Sequence, residues 1–261
     1  MDRYELTEKL ERAKWILAKK TRDHEYTLSK TWDRREFEET VKAIRKYGKR
    51  EKFWGKDYIY FYANGYKYWT MGEPIGKTIL INRVWVKYSN EYDKYADEYD
   101  YLYSGEEYKK QDFELRGLLS VEGSVLDVGC GTGLGAELFN GKYDSYVGID
   151  ESYKCIEIAK KKFQDIQKFI NVPIRDFYMR GFDTIISLYG AMSYLTPDEQ
   201  WKVYRELGGK KFYLMYYKDG YTPKTKTNLK RYKCVLPLKK IDFYNYEIRS
   251  NDEDLFANNR S

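Results

Sequence analysis

Histidine, cysteine and proline are scarce in this chain of 261 residues. The single histidine, His24, lies far from any candidate nucleophile, so no Ser-His-Asp or Cys-His catalytic set is expected. Three cysteines, Cys130, Cys155 and Cys234, lack the paired spacing of a zinc site or a disulfide framework. We therefore expect no metal site, and this cysteine usage fits a reducing compartment.

Long apolar runs are also absent. No stretch approaches the ~18 apolar residues needed to cross a membrane, and residues 1–5 carry acids where a secretory signal needs an apolar core. The sequence predicts a cytoplasmic protein with no membrane partner. Its net charge of +6 is compatible with anionic substrates, although a dispersed positive surface is the commoner meaning.

Glycine is concentrated in one informative place, the segment 125–135, which reads VLDVGCGTGLG. An apolar run ends in Asp127, and a comb of glycines follows before a predicted helix. Glycine permits positive φ and lets the main chain approach a ligand, while a helix N-terminus offers free N–H groups. This pattern predicts a buried parallel strand that delivers its end to a bound nucleotide-like ligand.

Two cofactor classes fit this comb. Gly131, Gly133 and Ala136 match the dinucleotide fingerprint G-x-G-x-x-G/A. A second predicted strand ends at Asp150, about twenty residues past the comb, where either cofactor class places a ribose-binding acid. Asp127 discriminates between them, because a carboxylate at that position can meet a ligand ammonium group.

At this point the chain resembles the class I S-adenosylmethionine (SAM)-dependent methyltransferases. VLDVGCGTG matches their first motif, and residues 92–100, YDKYADEYD, resemble the segment that opens many small-molecule methyltransferases. The resemblance covers roughly residues 90–217. It implies SAM as cofactor, with Asp127 and the glycines at the methionine end, Asp150 at the ribose and Asp176 at the adenine. The full set of expected cofactor-binding residues is Tyr92, Tyr99, Asp127, Gly129, Cys130, Gly131, Thr132, Gly133, Asp150, Glu151, Asp176, Phe177 and Ser187.

The acceptor is expected over the strand ends near residues 189–194, with Tyr189, Tyr194 and Tyr216 as candidates. No general base is identified, which an acceptor that is already nucleophilic does not require. The Asn/Asp-Pro-Pro-Tyr/Phe motif of nucleic-acid amino-methyltransferases is missing here. The sequence thus favours methyl transfer to a small molecule or nucleotide.

Two alternatives remain open. In the first, the N-terminal region and the basic loop 224–233 bind RNA or DNA, and the chain is a nucleic-acid-directed methyltransferase. In the second, the protein binds SAM without transferring a methyl group.

The first 88 residues fall outside the nucleotide-binding pattern. Helical spacing of Leu6, Leu10, Ala13 and Leu17 predicts one amphipathic helix, and a second helix follows a cap at Asp33. Two aromatic runs joined by Asn64-Gly65 predict a β-hairpin, and residues 78–86 a third strand.

We therefore predict two domains: residues 1–88 as an α+β accessory region, and residues 89–261 as a SAM-binding methyltransferase domain. The second domain is expected to be α/β, a Rossmann-like doubly wound sheet, mostly parallel with an antiparallel edge. Its expected elements are a tyrosine-rich helix after Asn90, helices from Glu106, Ser152 and Thr196, strands at 182–188 and 211–216, and edge strands at 235–236 and 241–248.

Overall fold

The computed structural model describes residues 1–13, 15–19, 25–28, 34–53, 56–71, 81–163 and 167–257. The chain forms two compact units. The first comprises residues 1–87 together with the short segment 176–179, and the second comprises residues 88–175 and 180–261.

The first unit combines two helices with an antiparallel sheet of six strands in the order β1-β2-β6-β5-β4-β3. Its elements in chain order are α1 (Arg3–Arg12), β1 (Trp15–Lys19), β2 (Glu25–Leu28), α2 (Arg34–Tyr47), β3 (Lys49–Phe53), β4 (Lys56–Ala63), β5 (Tyr66–Met71) and β6 (Ile81–Trp85).

The aromatic hairpin predicted around Asn64-Gly65 is confirmed. These residues have φ of 47° and 84°, the positive values that a type I′ turn requires, and they join β4 to β5. Strand alternation gives the sheet two distinct faces. Along β4, Ile59, Phe61 and Ala63 are buried in one core with residues of α1 and α2. The intervening tyrosines point to the other face.

One prediction for the first unit is wrong. Helical spacing continues to Leu17, but α1 ends at Arg12 and Leu17 lies in strand β1. The chain between them turns to extended backbone at Ala13, so apolar periodicity alone overestimated the helix. The predicted third strand, at residues 78–86, is described over Ile81–Trp85, where it forms β6. The predicted cap Asp33 and the single histidine His24 lie outside the described residues.

The second unit is built on a seven-stranded sheet in the order β12-β13-β11-β10-β7-β8-β9. Its elements in chain order are α3 (Tyr99–Leu102), α4 (Glu106–Leu118), β7 (Ser124–Val128), α5 (Leu134–Leu138), β8 (Ser145–Asp150), α6 (Tyr153–Lys162), β9 (Gln167–Asn171), β10 (Thr184–Ser187), α7 (Pro197–Arg205), β11 (Lys211–Tyr217), β12 (Lys239–Phe243), β13 (Tyr246–Ser250) and α8 (Glu253–Ala257).

This topology confirms the predicted fold class. Strands β9, β8, β7, β10 and β11 are parallel, and β13 pairs antiparallel with β11 and β12 at one edge. Strand order reverses between β7 and β10, which creates the switch point where open α/β sheets bind ligands. The core packs around Leu126, Ile185 and Leu214, all of which are fully buried in the central strands.

The predicted starts of the helices at Ser152 and Thr196 are confirmed. Ser152 accepts the Cys155 N–H at the start of α6. Thr196 and Glu199 form a capping box at the start of α7, with Pro197 at its first position.

Two predicted elements differ in the second unit. The predicted tyrosine-rich helix is interrupted: residues 91–94 form a 3-10 turn, and α3 begins only at Tyr99. The tail forms the β12–β13 hairpin, but residues 235–236 form no strand. Among helices of the described residues, none is both long and apolar enough to span a bilayer.

Candidate functional site

The glycine comb is a sharp loop between β7 and α5. Gly129, Gly131 and Gly133 have φ of 77°, 54° and 96°, a region that side chains with a Cβ rarely adopt. A Cβ at Gly129 would lie 2.5 Å from the Ala191 side chain, and one at Gly133 would lie 2.7 Å from Phe163. A Cβ at Gly131 would meet nothing within 4 Å. Bare main chain is therefore presented to open space at Gly131.

Asp150 ends the neighbouring strand β8 and holds this loop. Its Oδ2 accepts the Gly131 N–H at 3.0 Å, and its Oδ1 accepts the Ser152 N–H at 2.7 Å. Burial raises the pKa of Asp150 to about 6. The carboxylate is thus ionised at neutral pH and lies beside the uncovered main chain of Gly131.

Asp127 lies behind the loop. Only 1% of it is exposed, and its Oδ2 accepts the Tyr146 hydroxyl at 2.5 Å. Its Oδ1 is buried without a hydrogen-bond partner among the described residues. Burial raises the pKa of Asp127 to about 7. Burying a carboxylate oxygen without a hydrogen-bond partner costs free energy. The Oδ1 atom of Asp127 can therefore still accept a hydrogen bond or interact with a positive charge.

A cavity of about 400 Å³ opens at the carboxyl ends of the parallel strands, within the size range of ligand pockets. Eight of the sequence-predicted residues line it: Tyr92, Tyr99, Gly129, Gly131, Asp150, Glu151, Tyr189 and Tyr194. The structure therefore brings together residues from the opening segment, the glycine loop, the end of β8 and the loop after β10.

Other predicted site residues lie away from the cavity lining. Ser187 donates its hydroxyl to the Val128 carbonyl at 2.7 Å, and Tyr216 donates to Gln200 Oε1 at 3.1 Å. The Thr132 hydroxyl donates to Asp100 at 2.6 Å. Cys130, Gly133 and Asp127 are buried in and beneath the loop. The contacts of these residues support the loop and the strand ends that line the cavity.

Asp176 and Phe177 fall in the segment that packs with the first unit. Asp176 ends a 3-10 turn and its main-chain carbonyl accepts the Asn64 N–H at 2.9 Å. Phe177 is fully buried.

In the opening segment YDKYADEYD, the tyrosines and the acids make different contacts. Its tyrosines Tyr92 and Tyr99 line the cavity. Its acids act as anchors: Asp93 Oδ1 accepts the Ser152 hydroxyl at 2.6 Å, and Asp100 accepts the Thr132 hydroxyl. The segment is thereby tied both to the start of α6 and to the glycine loop. Sequence reasoning had assigned no role to these two acids.

Tyrosine rings line the cavity near the loop after β10. The Tyr92 hydroxyl donates to the Tyr194 hydroxyl at 3.0 Å, and the Tyr194 ring packs edge-on against Tyr217. Tyr189 has φ of 48° and donates its hydroxyl to Asp112. Burial raises the pKa of Tyr92, Tyr189 and Tyr217 well above the usual tyrosine value. These hydroxyls therefore stay protonated at neutral pH.

Several lining residues were not among the predicted site residues. Asn90 accepts the Tyr92 N–H at 2.9 Å and so starts the turn at the cavity edge. Arg175 lies between Glu151, at 3.0 Å, and Glu199, at 3.8 Å. Tyr217 could have been predicted as a lining residue, because it lies at the carboxyl end of β11, the strand that pairs with β10. The further lining residues with polar or aromatic side chains are Thr196, Lys230 and Tyr232.

No metal centre accompanies this cavity in the described ranges. Within them, no group of three or more His, Cys, Asp or Glu side chains has a geometry able to hold a metal ion.

Comparison with known proteins identifies one domain family. Residues 125–208 match the family described as "Methyltransferase domain". The match confirms, for this segment, the resemblance to class I SAM-dependent methyltransferases.

Two curated relatives align with part of the chain. One is an uncharacterized protein of Methanocaldococcus jannaschii, 34% identical over 104 residues, which is 40% of each chain. The other is a Streptomyces venezuelae dTDP-3-amino-3,4,6-trideoxy-alpha-D-glucopyranose N,N-dimethyltransferase, 29% identical over 113 residues, which is 41% of this chain and 47% of the relative. The matched stretch thus spans less than half the length of either relative.

Among solved structures, the chain is similar to one described as the DhpI–SAH complex. The TM-score is 0.48 and the identity is 17%, over 61% of this chain and 91% of that one.

Proposed function

We propose that this chain, whose residues 125–208 match the methyltransferase domain, is an enzyme that transfers a methyl group from SAM to a small-molecule or nucleotide acceptor. The observation that carries the proposal is the pairing of Gly131 with Asp150. Uncovered main chain and an ionised carboxylate stand side by side on the wall of the cavity.

The residues present fit an adenosyl cofactor. Asp150 has the acceptor oxygens that a ribose diol needs, and it lies beside Gly131, where no side chain blocks approach. Glu151 follows it on the same wall. The unused Oδ1 of Asp127 lies beneath the loop, where its charge favours a cationic methionine end above it.

When bound, SAM supplies a methyl group that is already activated by its sulfonium. The task left to the protein is to hold a nucleophile in line, and such positioning contributes up to ~7–11 kcal/mol to lowering the barrier. Tyr189, Tyr194 and Tyr217 surround the space above the strand ends and would orient the acceptor there. Because burial raises the pKa of Tyr189 and Tyr217, these two hydroxyls stay protonated and serve as hydrogen-bonding groups and poor bases.

This chemistry favours an acceptor that is nucleophilic without help, such as a neutral amine. The Streptomyces venezuelae relative is named as an amino-sugar nucleotide N,N-dimethyltransferase, which supports an amine on a nucleotide-linked sugar as a first substrate to try. Lys230 on the cavity wall would offer positive charge to its phosphates.

The direct test is calorimetry with SAM, its demethylated product S-adenosylhomocysteine, and NADH. We expect heat with the first two and none with NADH. Binding of NADH alone would replace the proposal with a dinucleotide-dependent reaction.

A turnover assay separates the remaining alternatives. S-adenosylhomocysteine release would be followed with amines, nucleotide-linked amino sugars, and RNA and DNA oligonucleotides as acceptors. We expect release with a small amine or nucleotide. Release only with oligonucleotides would establish the nucleic-acid-directed alternative, and binding without release on any acceptor would establish a non-catalytic SAM-binding module.

A further inference from the structure

Charge is distributed unevenly along the chain. Residues 1–87 contain 21 Lys and Arg against 13 Asp and Glu, a net charge of +8, whereas the remaining residues carry a net charge of −2. Five of the six tryptophans also lie in residues 1–87. A basic, aromatic-rich segment is the composition expected of a surface that meets a polyanion.

The sheet of the first unit places aromatic rings on the face opposite its core. Tyr58, Tyr60 and Tyr62 alternate along β4 with the buried residues and are half-buried. Trp69 of β5 lies directly opposite Tyr60 and packs edge-on against Tyr58, with ring centroids 5.6 Å apart. We call these four side chains the aromatic face.

Positive charge is interleaved with these rings. Lys67 lies opposite Tyr62 in the hairpin, and its ammonium lies 3.5 Å from the centroid of the Tyr60 ring. Lys49 of β3 lies opposite Tyr60 and is exposed. Acids also lie near these rings: Glu51 is opposite Tyr58, and the pKa of Tyr62 is raised by burial and then by the negative charges of Glu51 and Asp176.

The spacing of the rings suits successive bases. Alternate residues of a strand lie about 6.6–6.8 Å apart, and the Tyr58 and Tyr60 rings are nearly parallel, at 24°, with centroids 6.2 Å apart. Unpaired bases stack on such rings irrespective of sequence, because every base has a π-face, while lysines follow the phosphates. Duplexes keep their bases stacked internally and do not offer them to a flat face.

We propose that the aromatic face, with Lys49 and Lys67, binds single-stranded nucleic acid. The proposal concerns the first unit alone and holds whichever acceptor the transferase cavity takes. Tyr60 and Trp69 form the central stacking platform. On binding, Lys67 exchanges its contact with the Tyr60 ring for a phosphate, which leaves that face of the ring to a base, and Lys49 contacts a second phosphate. Recognition is of the unstacked strand and its charge, with little sequence preference.

The test measures fluorescence anisotropy of labelled 12-nucleotide oligouridine and oligothymidine with the full chain, at salt concentrations from about 50 mM upward. Tyr60→Leu and Trp69→Leu should each weaken binding about 5- to 100-fold, the range seen when one stacked base loses its aromatic partner. Tyr60→Phe keeps a ring and should bind like wild type. Tyr101→Leu, at a tyrosine that is 82% exposed in the second unit, is the matched control and should have no effect.

Lys67→Gln gives an independent readout. Each phosphate contact contributes about 0.7 to the slope of log affinity against log salt for a single strand, so this variant should lower the slope by about that amount. Thermal denaturation of the same samples should show a cooperative transition above the assay temperature, which shows that the variant first unit remains folded. S-adenosylhomocysteine affinity should be unchanged in all variants, which separates this result from the transferase proposal.

Three outcomes would overturn the inference. The first is no binding to either oligonucleotide at the lowest salt. The second is binding that both leucine variants retain in full. The third is equal competition by inorganic polyphosphate or by a duplex, since that binding would depend on charge without stacking.

Discussion

Asp127 and Asp150 stand at the ends of adjacent parallel strands, and burial raises the pKa of both carboxyl groups. Their surroundings separate their roles. Asp150 has main-chain N–H partners on both oxygens, whereas Asp127 has a tyrosine on one oxygen and, among the described residues, no hydrogen-bond partner on the other. The proposed function assigns a neutral diol to Asp150 and a cation to Asp127.

Replacing Asp150 tests the ribose contact. Asp150→Ala should weaken S-adenosylhomocysteine binding by roughly 10- to 100-fold, because hydrogen bonds to a charged group contribute about 1.5–3 kcal/mol. Titration calorimetry would measure this. Asp144→Ala, at an exposed acid just before the same strand, serves as control and should bind normally. Wild-type affinity in Asp150→Ala would remove this residue from the site.

The two raised pKa values predict a pH dependence of stability. Asp127 titrates at about 7 and Asp150 at about 6 in the folded chain, against an ordinary value of 3.8. Between pH 4 and 7 the folded state therefore holds more protons on these groups than the unfolded state, and their contribution to stability falls as pH rises.

Asp127→Asn should accordingly flatten the change in Tm between pH 5 and pH 8, as measured by thermal denaturation without ligand. Asp144→Asn should leave the wild-type change intact. An equally steep decline in Asp127→Asn would contradict the assignment.

Ligand binding should respond to pH in the opposite direction, weakening below about pH 6 as the Asp150 carboxylate becomes protonated.

Two glycines allow backbone strain to be separated from ligand exclusion. Gly131 and Gly141 both have positive φ, and a Cβ at either would contact no protein atom within 4 Å. Gly131→Ala and Gly141→Ala should therefore lose similar stability, on the order of 1 kcal/mol. Only Gly131→Ala should also lose SAM affinity, because its methyl group would project into the cavity. Equal SAM binding by the two variants would place the cofactor elsewhere.

Helix α7 begins at the edge of the cavity, and its capping box determines where it begins. Thr196→Ala removes the side-chain acceptor for the Glu199 N–H and should lower the free energy of unfolding by about 1 kcal/mol. Urea denaturation would show the loss. Thr222→Ala, at an exposed loop threonine, should cost almost nothing. A Thr196→Ala midpoint equal to wild type would mean that the cap is dispensable.

Elements with strong local signals could be predicted from sequence. The Asn64-Gly65 hairpin, the helix starts at Ser152 and Thr196 and the glycine loop were all predicted, because each depends on contacts between residues a few positions apart. The extension of α1 to Leu17 was wrong, since spacing of apolar residues does not distinguish a helix end from the start of a strand.

The site was only partly predictable for a related reason. Strand ends identified Asp150, Tyr189 and Tyr194, which line the cavity. Arg175 and Lys230 line it through loops with no regular pattern, so only the folded chain brings them there. Asp93 and Asp100 belong to the segment YDKYADEYD, but their contacts could not be predicted, because their partners Ser152 and Thr132 are distant in sequence.

At the scale of the whole molecule, every residue lining the cavity belongs to the second unit. Saturating S-adenosylhomocysteine should therefore slow amide hydrogen exchange within residues 88–175 and 180–261, most strongly in the glycine loop and after β8. Mass spectrometry of proteolytic peptides would map this. Peptides from β4 and β5 act as the internal reference, and protection confined to them would contradict the assignment of the ligand to this cavity.

The segment 176–179 belongs to the first unit although it follows the third strand of the second sheet. Tyr178 stacks on Phe61 and packs edge-on against Tyr4, and its main-chain N–H donates to Asn64. During synthesis the ribosome must therefore extend well past codon 179 before the N-terminal core can close. A chain that ends at residue 87 would lack the Tyr178 ring in this core. Residues 1–87 expressed alone would therefore need an added segment that supplies Tyr178.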